Sequence, residues 1–280
     1  MQKIESINAM RAAAQEWRAQ GKKVALVPTL GALHVGHASL IRLARERADV
    51  VVVSAFVNPL QFGPSEDFVK YPRNPAADAA VAEREGVTVL FAPVAEEMFP
   101  KGFSSHAAED TVSKPLCGIS RPHFFRGVLT CWLKLIHVVG PDVLVMGEKE
   151  AQLVAVIRKF TADLQLSLEI VSGPTVRDPD GLPVSARNAY LMPTQREEAL
   201  AVFRALTKAK QMVDSGVKST DRLVAEVTHI LAEKRRLRVI YISVVDRHSM
   251  EQLREIIPGQ CLMAIAYWVD EVRLTDNILV

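Results

Sequence analysis

The sequence has few cysteines and almost no net charge. Its 280 residues include three cysteines, Cys117, Cys131 and Cys261, which are far apart and form no CxxC pair. This spacing argues against a disulfide framework or a zinc site and fits free thiols in a reducing compartment. The formal net charge is +2, far from the large basic excess that is typical of proteins that coat nucleic acids. We therefore expect no nucleic-acid partner.

Long hydrophobic runs are also missing. The longest apolar stretches, such as residues 50–57, have the length of a strand, whereas a membrane-spanning helix needs roughly 18 or more apolar residues. The first 21 residues carry charges among short apolar pieces and contain no signal-peptide core. We expect a cytoplasmic protein that does not associate with membranes.

Strand and helix patterns alternate through the first 170 residues. Short connections between them predict an α/β fold, with a Rossmann-like, doubly wound parallel sheet. Ligands of such sheets bind beyond the carboxyl ends of the strands, where the strand order reverses. The predicted strands are residues 23–28, 50–57, 87–92, 143–146 and 168–171, and the predicted helices are residues 36–48, 75–85, 127–139 and 150–164.

The pattern changes after about Thr175. A polar loop with glycine and proline, residues 177–193, precedes two amphipathic helices and two strands. This order predicts a smaller C-terminal α+β domain, so we divide the chain into domains at residues 1–175 and 176–280. The helices are predicted at 195–215 and 220–234, and the strands at 239–245 and 261–268.

The strongest local motif lies between the first strand and the first helix, in the sequence PTLGALHVGH at residues 28–37. Gly31 and Gly36 allow a tight turn close to a ligand, and the helix N-terminus offers N–H groups and partial positive charge to phosphate. His34 and His37 are three residues apart, which places both on one side of a helix. A metal-binding pair and a structural cap are alternative interpretations, but the position after the first strand favours a nucleotide site.

Two further sets of residues follow predicted strands. Asn58 and Gln61 come directly after residues 50–57, so we expect their carboxamides at the carboxyl end of a buried strand, where they suit a small hydroxy acid. Lys149 follows the predicted strand 143–146.

The motif HVGH at residues 34–37 resembles the HIGH signature of adenylate-forming nucleotidyltransferases. Other blocks make the whole chain similar to the pantoate–β-alanine ligase family. These blocks are FVNPLQF at 56–62, YPR at 71–73, SRP at 120–122, FRGV at 125–128, GEK at 147–149, DGL at 180–182, SARN at 185–188 and RLTDN at 273–277.

The resemblance implies an ATP-dependent ligase that condenses pantoate with β-alanine through a pantoyl-adenylate. ATP with Mg²⁺, no metal ligand from the protein and a homodimer through the sheet near residues 239–245 are also implied. The implied catalytic residues are His34, His37, Lys149 and Arg187. The implied ATP-binding residues further include Leu30, Gly31, Ala32, Leu33, Val35, Gly36, Gly147, Glu148, Glu150, Val176, Val184, Ser185 and Ala186, and the implied substrate-binding residues are Asn58, Gln61, Tyr71, Arg126 and Leu153.

Several residues depart from the family pattern. Leu153 stands where the family has a glutamine that binds pantoate, so pantoate affinity is the property most affected. The histidine signature alone also fits a nucleotidyltransferase that keeps the nucleotide on its product. The departures at Leu153, Phe124 and Ala186 leave a second rival, a nucleotide-binding paralogue with altered acid substrate or lost turnover. The other departures are Leu30 for Met, Phe124 for His, Glu150 for Asp, Ala151 for an aromatic residue and Ala186 for Ser.

Overall fold

The computed structural model describes residues 1–64 and 66–280, which form two compact units. Unit 1 consists of Met1–Glu109, Arg121–Glu148 and Val156–Pro174. Unit 2 consists of Asp110–Ser120, Lys149–Ala155 and Thr175–Val280. The division into domains at residues 1–175 and 176–280 stays a prediction.

The helices within the described residues follow the predicted pattern, with additional helices at Ile7–Ala19, Ala95–Met98 and Cys117–Ser120. They are α1 (Ile7–Ala19), α2 (Val35–Arg45), α3 (Pro75–Arg84), α4 (Ala95–Met98), α5 (Cys117–Ser120), α6 (Phe124–Val139), α7 (Ala151–Asp163), α8 (Pro193–Asp214) and α9 (Thr220–Ala232). Short 3-10 turns lie at Pro59–Gln61, Glu148–Glu150 and Ala186–Tyr190. None of these helices combines the length and the apolar character that crossing a membrane requires.

Unit 1 contains a parallel sheet with strands in the order β1-β4-β3-β2-β5-β6. This arrangement confirms the predicted doubly wound α/β fold. The strands are β1 (Gln2–Ile4), β2 (Val24–Thr29), β3 (Val50–Ala55), β4 (Val89–Phe91), β5 (Val143–Gly147) and β6 (Glu169–Gly173).

The sheet core follows from the β-branched runs in the sequence. Val51 and Val53 of β3 are at most 2% exposed, and they belong to a cluster with Ile41 of α2. Valine favours strands because its branched side chain packs well on a pleated surface. Burial on both faces explains why β3 is apolar without alternation.

The strand order reverses at β2. From β2 the chain proceeds to β3 and β4 on one side, and it then returns to form β5 on the other side of β2. The segments that follow β2 and β5 therefore begin at the same edge of the sheet, at the switch point where such folds bind ligands. Residues 30–37 and Glu148 lie in these segments.

Unit 2 contains an antiparallel sheet in the order β7-β8-β9, with strands β7 (Leu237–Asp246), β8 (Cys261–Val269) and β9 (Val272–Leu279). Helices α8 and α9 pack on it through a core that includes Leu206 and Tyr267. The sequence did not predict β9, because a charged residue, Asp276, occupies one of its buried positions.

A buried ion pair links β9 to the loop that precedes α8. Both terminal guanidinium nitrogens of Arg177 donate to the Asp276 carboxylate at 2.8 Å, and the Asp276 side chain is 1% exposed. Burial raises the pKa of Asp276 although Arg177 opposes that shift. The guanidinium also lies over the Phe203 ring and donates to the Gly181 carbonyl, so a single side chain joins three parts of unit 2.

We predict that Asp276→Ala destabilises the protein by about 3–5 kcal/mol, because it leaves a buried guanidinium without its carboxylate. Chemical denaturation measures this loss. Asp178→Ala, which removes one carboxylate from the partly exposed Arg196 cluster, serves as control and costs less than about 1 kcal/mol. Equal losses for the two variants would contradict this assignment.

Candidate functional site

The turn between β2 and α2 uses unusual backbone conformations. Gly31 and Ala32 have φ values of +78° and +51°, in a region that costs a residue with a side chain about 1–2 kcal/mol. A Cβ atom at Gly31 would lie 2.9 Å from Oδ2 of Asp78. Glycine is therefore required at position 31 on conformational and on steric grounds.

The Asp78 carboxylate holds this turn. Its Oδ2 accepts the N–H of Ala32 at 3.1 Å, and its Oδ1 accepts the N–H of Leu33 at 2.7 Å. Asp78 lies in the first turn of α3 and is 5% exposed. Thr29 adds a second anchor, since its hydroxyl accepts the Gly31 N–H at 3.0 Å.

His34 and His37 form a capping box at the start of α2. Nδ1 of His34 accepts the N–H of Gly36, and Nδ1 of His37 accepts the N–H of His34, both at 3.2 Å. The two rings stack with their centroids 4.0 Å apart. Both histidines therefore cap the N-terminus of α2, as the structural-cap interpretation predicted.

The capping bonds also define the tautomers of the two rings. A neutral imidazole that accepts a hydrogen bond at Nδ1 carries its proton on Nε2. In its neutral form, each ring therefore carries its proton on Nε2, on the side away from the backbone that it caps. Capping and phosphate binding are compatible, because they use opposite nitrogens of each ring.

The carboxyl end of β5 is closely packed. Glu148 accepts a hydrogen bond from the Ser172 hydroxyl at 3.1 Å, which connects the ends of β5 and β6. A Cβ atom at Gly173 would meet Leu40 of α2 at 2.7 Å, and one at Gly147 would meet the same side chain at 3.8 Å. The glycine at position 173 therefore lets α2 pack against the end of β6, whereas position 147 has room for a Cβ atom.

Asn58 and Gln61 lie at the carboxyl end of β3, as predicted. Asn58 is 1% exposed and caps the Pro59–Gln61 turn by accepting the Leu60 N–H at 3.1 Å. Its Nδ2 donates to the Gly127 carbonyl at 3.0 Å and to Oε1 of Gln61 at 3.2 Å. Since both Nδ2 protons and the oxygen of Asn58 bond to protein groups, this residue orients Gln61.

The neighbouring segment fixes the backbone of Gln61. Arg121 donates to the Gln61 carbonyl at 3.0 Å and pairs with Glu66. Although burial opposes the shift, Arg121 holds the pKa of Glu66 below its usual value. Arg121 lies in the SRP block at residues 120–122, but the sequence did not predict a role for it.

The two remaining predicted pocket residues of unit 1 differ in environment. Tyr71 is 7% exposed and packs edge-on against Phe62, with centroids 5.8 Å apart. Arg126 is exposed in the first turn of α6. Tyr71 is therefore packed against Phe62, while Arg126 is accessible from solvent.

In unit 2, several charged side chains surround Glu150. Nζ of Lys149 lies 3.3 Å from Oε1 of Glu150. Desolvation opposes the shift, but Lys149, Arg187 and Arg273 together lower the pKa of Glu150. The backbone carbonyl of Lys149 accepts a hydrogen bond from Asn277 at 2.9 Å, so β9 holds the 3-10 turn that carries Lys149.

Residues 176–187 form a hairpin followed by a capped turn. The Val184 N–H donates to the Val176 carbonyl at 3.0 Å, and Gly181 turns the chain with a φ of +97°. Ser185 caps the following 3-10 turn by accepting the N–H of Arg187 at 3.3 Å. The capping bond uses an acceptor site on the Ser185 oxygen, and the hydroxyl proton can still donate.

Leu153 is 9% exposed in the first turns of α7. The helix begins at Ala151, so Lys149 lies in the preceding 3-10 turn and not in α7. The adjacent Gln152 is buried and bonds to the carbonyls of Val112 and Pro115 and to the N–H of Cys117. Gln152 therefore has a structural role in unit 2.

Two residues that hold the site in place, Asp78 and Arg121, were not identified from the sequence. Asp78 looked like an ordinary acidic residue in the first turn of a helix, and its link to the turn after β2 depends on residues 45 positions apart. Arg121 likewise donates to the carbonyl of Gln61, which is 60 positions away in the sequence. No local pattern identifies such partners.

Within residues 1–64 and 66–280, no three His, Cys, Asp or Glu side chains are grouped so as to hold a metal ion.

Comparison with known proteins gives matches over the whole chain. The family model of pantoate–β-alanine ligase matches residues 2–279. The pantothenate synthetase of Heliobacterium modesticaldum is 45% identical over 280 residues, covering 100% of this chain and 99% of the relative. That of Geobacter sulfurreducens is 45% identical over 277 residues, covering 99% and 98%.

Solved structures of the same family have the same fold. The pantothenate synthetase of Thermus thermophilus superimposes with a TM-score of 0.93 at 35% identity, covering 99% of both chains. A pantoate–β-alanine ligase from Francisella tularensis, solved in complex with beta-gamma ATP and beta-alanine, gives 0.82 at 31% identity, covering 100% of this chain and 97% of that one.

We predict that Asn58→Ala destabilises the protein by about 1–3 kcal/mol, because it leaves the Leu60 N–H and the Gly127 carbonyl without their partner. Gln61→Ala serves as the matched control. Its side chain caps no backbone group, so we expect a smaller loss of stability. Urea denaturation of the two variants provides the comparison. A larger loss for Gln61→Ala would show that the roles of the two amides are reversed.

Proposed function

Since the chain belongs to the pantoate–β-alanine ligase family, we propose that it condenses pantoate with β-alanine at the expense of ATP. The pantoate carboxylate attacks the α-phosphorus of ATP and pyrophosphate leaves. The β-alanine amine then attacks the pantoyl-adenylate, which gives pantothenate and AMP. This reaction makes the chain an ATP-dependent ligase of pantothenate biosynthesis.

The arrangement of His34 and His37 is the observation that carries the proposal. Their Nδ1 atoms are occupied by backbone N–H groups, so each neutral ring offers an Nε2–H donor at the switch point of the sheet. Fixed donors stabilise charge on a leaving pyrophosphate without reorganisation during the reaction. The first turn of α2 adds the partial positive charge of a helix N-terminus.

Gln61 is the proposed contact for pantoate and β-alanine. Asn58 donates to its Oε1, an orientation that directs the two Nε2 protons away from Asn58. These donors suit the carboxylate or hydroxyl oxygens of pantoate. Asn58 then acts on the substrate through Gln61, which refines the role expected from the sequence.

On the basis of family membership, we also propose that Lys149, Arg187 and Ser185 contact ATP. Lys149 and Arg187 contribute positive charge near Glu150, and Ser185 contributes a hydroxyl donor. A guanidinium binds phosphate through parallel hydrogen bonds. The hairpin pairs the carbonyl of Val176 with Val184, so a contact of Val176 with adenine uses its N–H or the second lone pair of its carbonyl.

Three finer features complete the proposal. Mg²⁺ enters as part of the MgATP substrate, bound mainly through phosphate oxygens and water. The chain forms a homodimer through β7, which is an edge strand with Val239 36% exposed. The protein works in the cytoplasm.

Product analysis tests the proposal against its rivals. Incubation with ATP, pantoate and β-alanine should yield AMP and pantothenate in equal amounts. A nucleotidylated product would indicate a nucleotidyltransferase, and ATP binding without turnover of any candidate acid would indicate a paralogue that has lost its activity.

We predict that His34→Ala and His37→Ala each reduce pantoate-dependent pyrophosphate release by about 100–1,000-fold, the effect of removing one preorganised donor. Rapid-quench measurement of pyrophosphate provides the rate. His137→Ala, in the last turn of α6, is the matched control and should retain the wild-type rate. Wild-type rates in the double histidine variant would contradict the assignment.

Leu153→Gln tests whether this position contacts pantoate. If Leu153 borders the substrate, we predict a lower KM for pantoate and an unchanged KM for ATP, because an amide can bond to a pantoate hydroxyl. Substrate titration and thermal melting are measured together. A destabilised variant with an unaltered KM for pantoate would mean that Leu153 belongs to the core only.

A further inference from the structure

The Asp78 carboxylate has contacts that the proposed reaction does not use. Both of its oxygens accept backbone N–H groups of the turn after β2, and its side chain occupies the space that a Cβ atom of Gly31 would need. It is carried by α3, a separate helix that begins at Pro75 behind the Asn74 cap. The carboxylate is therefore held rigidly from outside the turn.

We propose that Asp78 is a positioning residue that sets the direction of the His34 and His37 donors. Its Oδ1 binds the N–H of Leu33, and the next N–H along the chain, that of His34, binds Nδ1 of His37. Successive peptide groups are planar and share only two soft dihedral angles per residue. Holding the peptide that carries the Leu33 N–H thus restricts the direction of the His34 N–H, whose hydrogen bond selects the His37 tautomer.

Charge and geometry both favour a carboxylate at this position. Ala32 adopts φ +51°, a conformation that its own side chain disfavours. Hydrogen bonds from N–H groups to an ionised carboxylate are stronger than those to a neutral acceptor, and they offset this strain. An amide of the same shape presents one oxygen and one NH₂ group, so it can accept only one of the two N–H groups and repels the other.

Asp78→Asn is the test, with Glu85→Gln as its matched control. Glu85 follows the C-terminus of the same helix, is equally buried, and accepts two hydrogen bonds from Arg42 of α2 at 2.8 and 2.9 Å. Glu85→Gln therefore loosens the contact between α3 and α2 without touching the turn. A purely structural role for Asp78 predicts similar behaviour of the two variants.

The first readout is the ¹⁵N spectrum of the histidine rings. In the wild type and in Glu85→Gln, His34 and His37 should show neutral rings protonated on Nε2. In Asp78→Asn, we expect the His37 ring to lose this single tautomer. Unchanged His34 and His37 signals in a folded Asp78→Asn variant would overturn the proposal.

The second readout is kinetic and rests on the proposed function. Misplaced donors should lower kcat for adenylate formation by about 100-fold with a small change in KM for ATP, whereas Glu85→Gln keeps the wild-type kcat. Equal kcat values for the two variants would also overturn the proposal. If the wild-type protein forms no adenylate, the ligase proposal fails, but the histidine spectra still decide the role of Asp78.

A third measurement needs no variant and applies if Asp78→Asn does not fold. Amide hydrogen exchange in the wild type should be slow at Ala32 and Leu33, since the Asp78 carboxylate holds both N–H groups. Exchange at the rate of an unprotected loop would show that the carboxylate does not hold the turn in solution.

Discussion

The backbone N–H groups between β2 and α2 depend on side chains for their acceptors. Thr29 accepts from Gly31, Asp78 accepts from the next two residues, and His37 and His34 accept from the start of the helix. Neither the sheet nor the helix can satisfy these groups, because they precede the first helical hydrogen bond. The shape of the proposed ATP site follows from this constraint.

The same constraint explains why histidine suits these two positions. Serine or aspartate would cap the helix equally well, but neither presents a donor on the opposite side of a rigid ring. Imidazole accepts at Nδ1 and donates at Nε2 at the same time. A single residue type therefore meets a requirement of the fold and a requirement of the proposed chemistry.

Periodicity in the sequence was sufficient to predict the central strands and most helices. Continuous apolar runs such as β3 mark strands that are buried on both faces, and α2 follows from a glycine-containing turn and helical spacing. Strand β9 was missed because Asp276, which pairs with Arg177, interrupts its apolar pattern. Burial of a paired charge depends on tertiary contacts that local sequence does not contain.

The candidate site was predictable in its residue types and less so in their roles. Motif spacing located His34, His37 and Gln61, but the sequence could not show that Asn58 bonds only to protein groups through its amide. It also gave no sign of Asp78, which acts from a helix more than 40 residues away. Residues that hold a site in place are recognised by their contacts, which only the fold provides.

In the proposed reaction, the chain activates pantoate as an adenylate, and amide formation is a separate later step. Exchange of labelled pyrophosphate into ATP measures the first step alone. We predict that exchange requires pantoate and proceeds in the absence of β-alanine. Exchange that is absent with pantoate, or that requires β-alanine, would contradict this account.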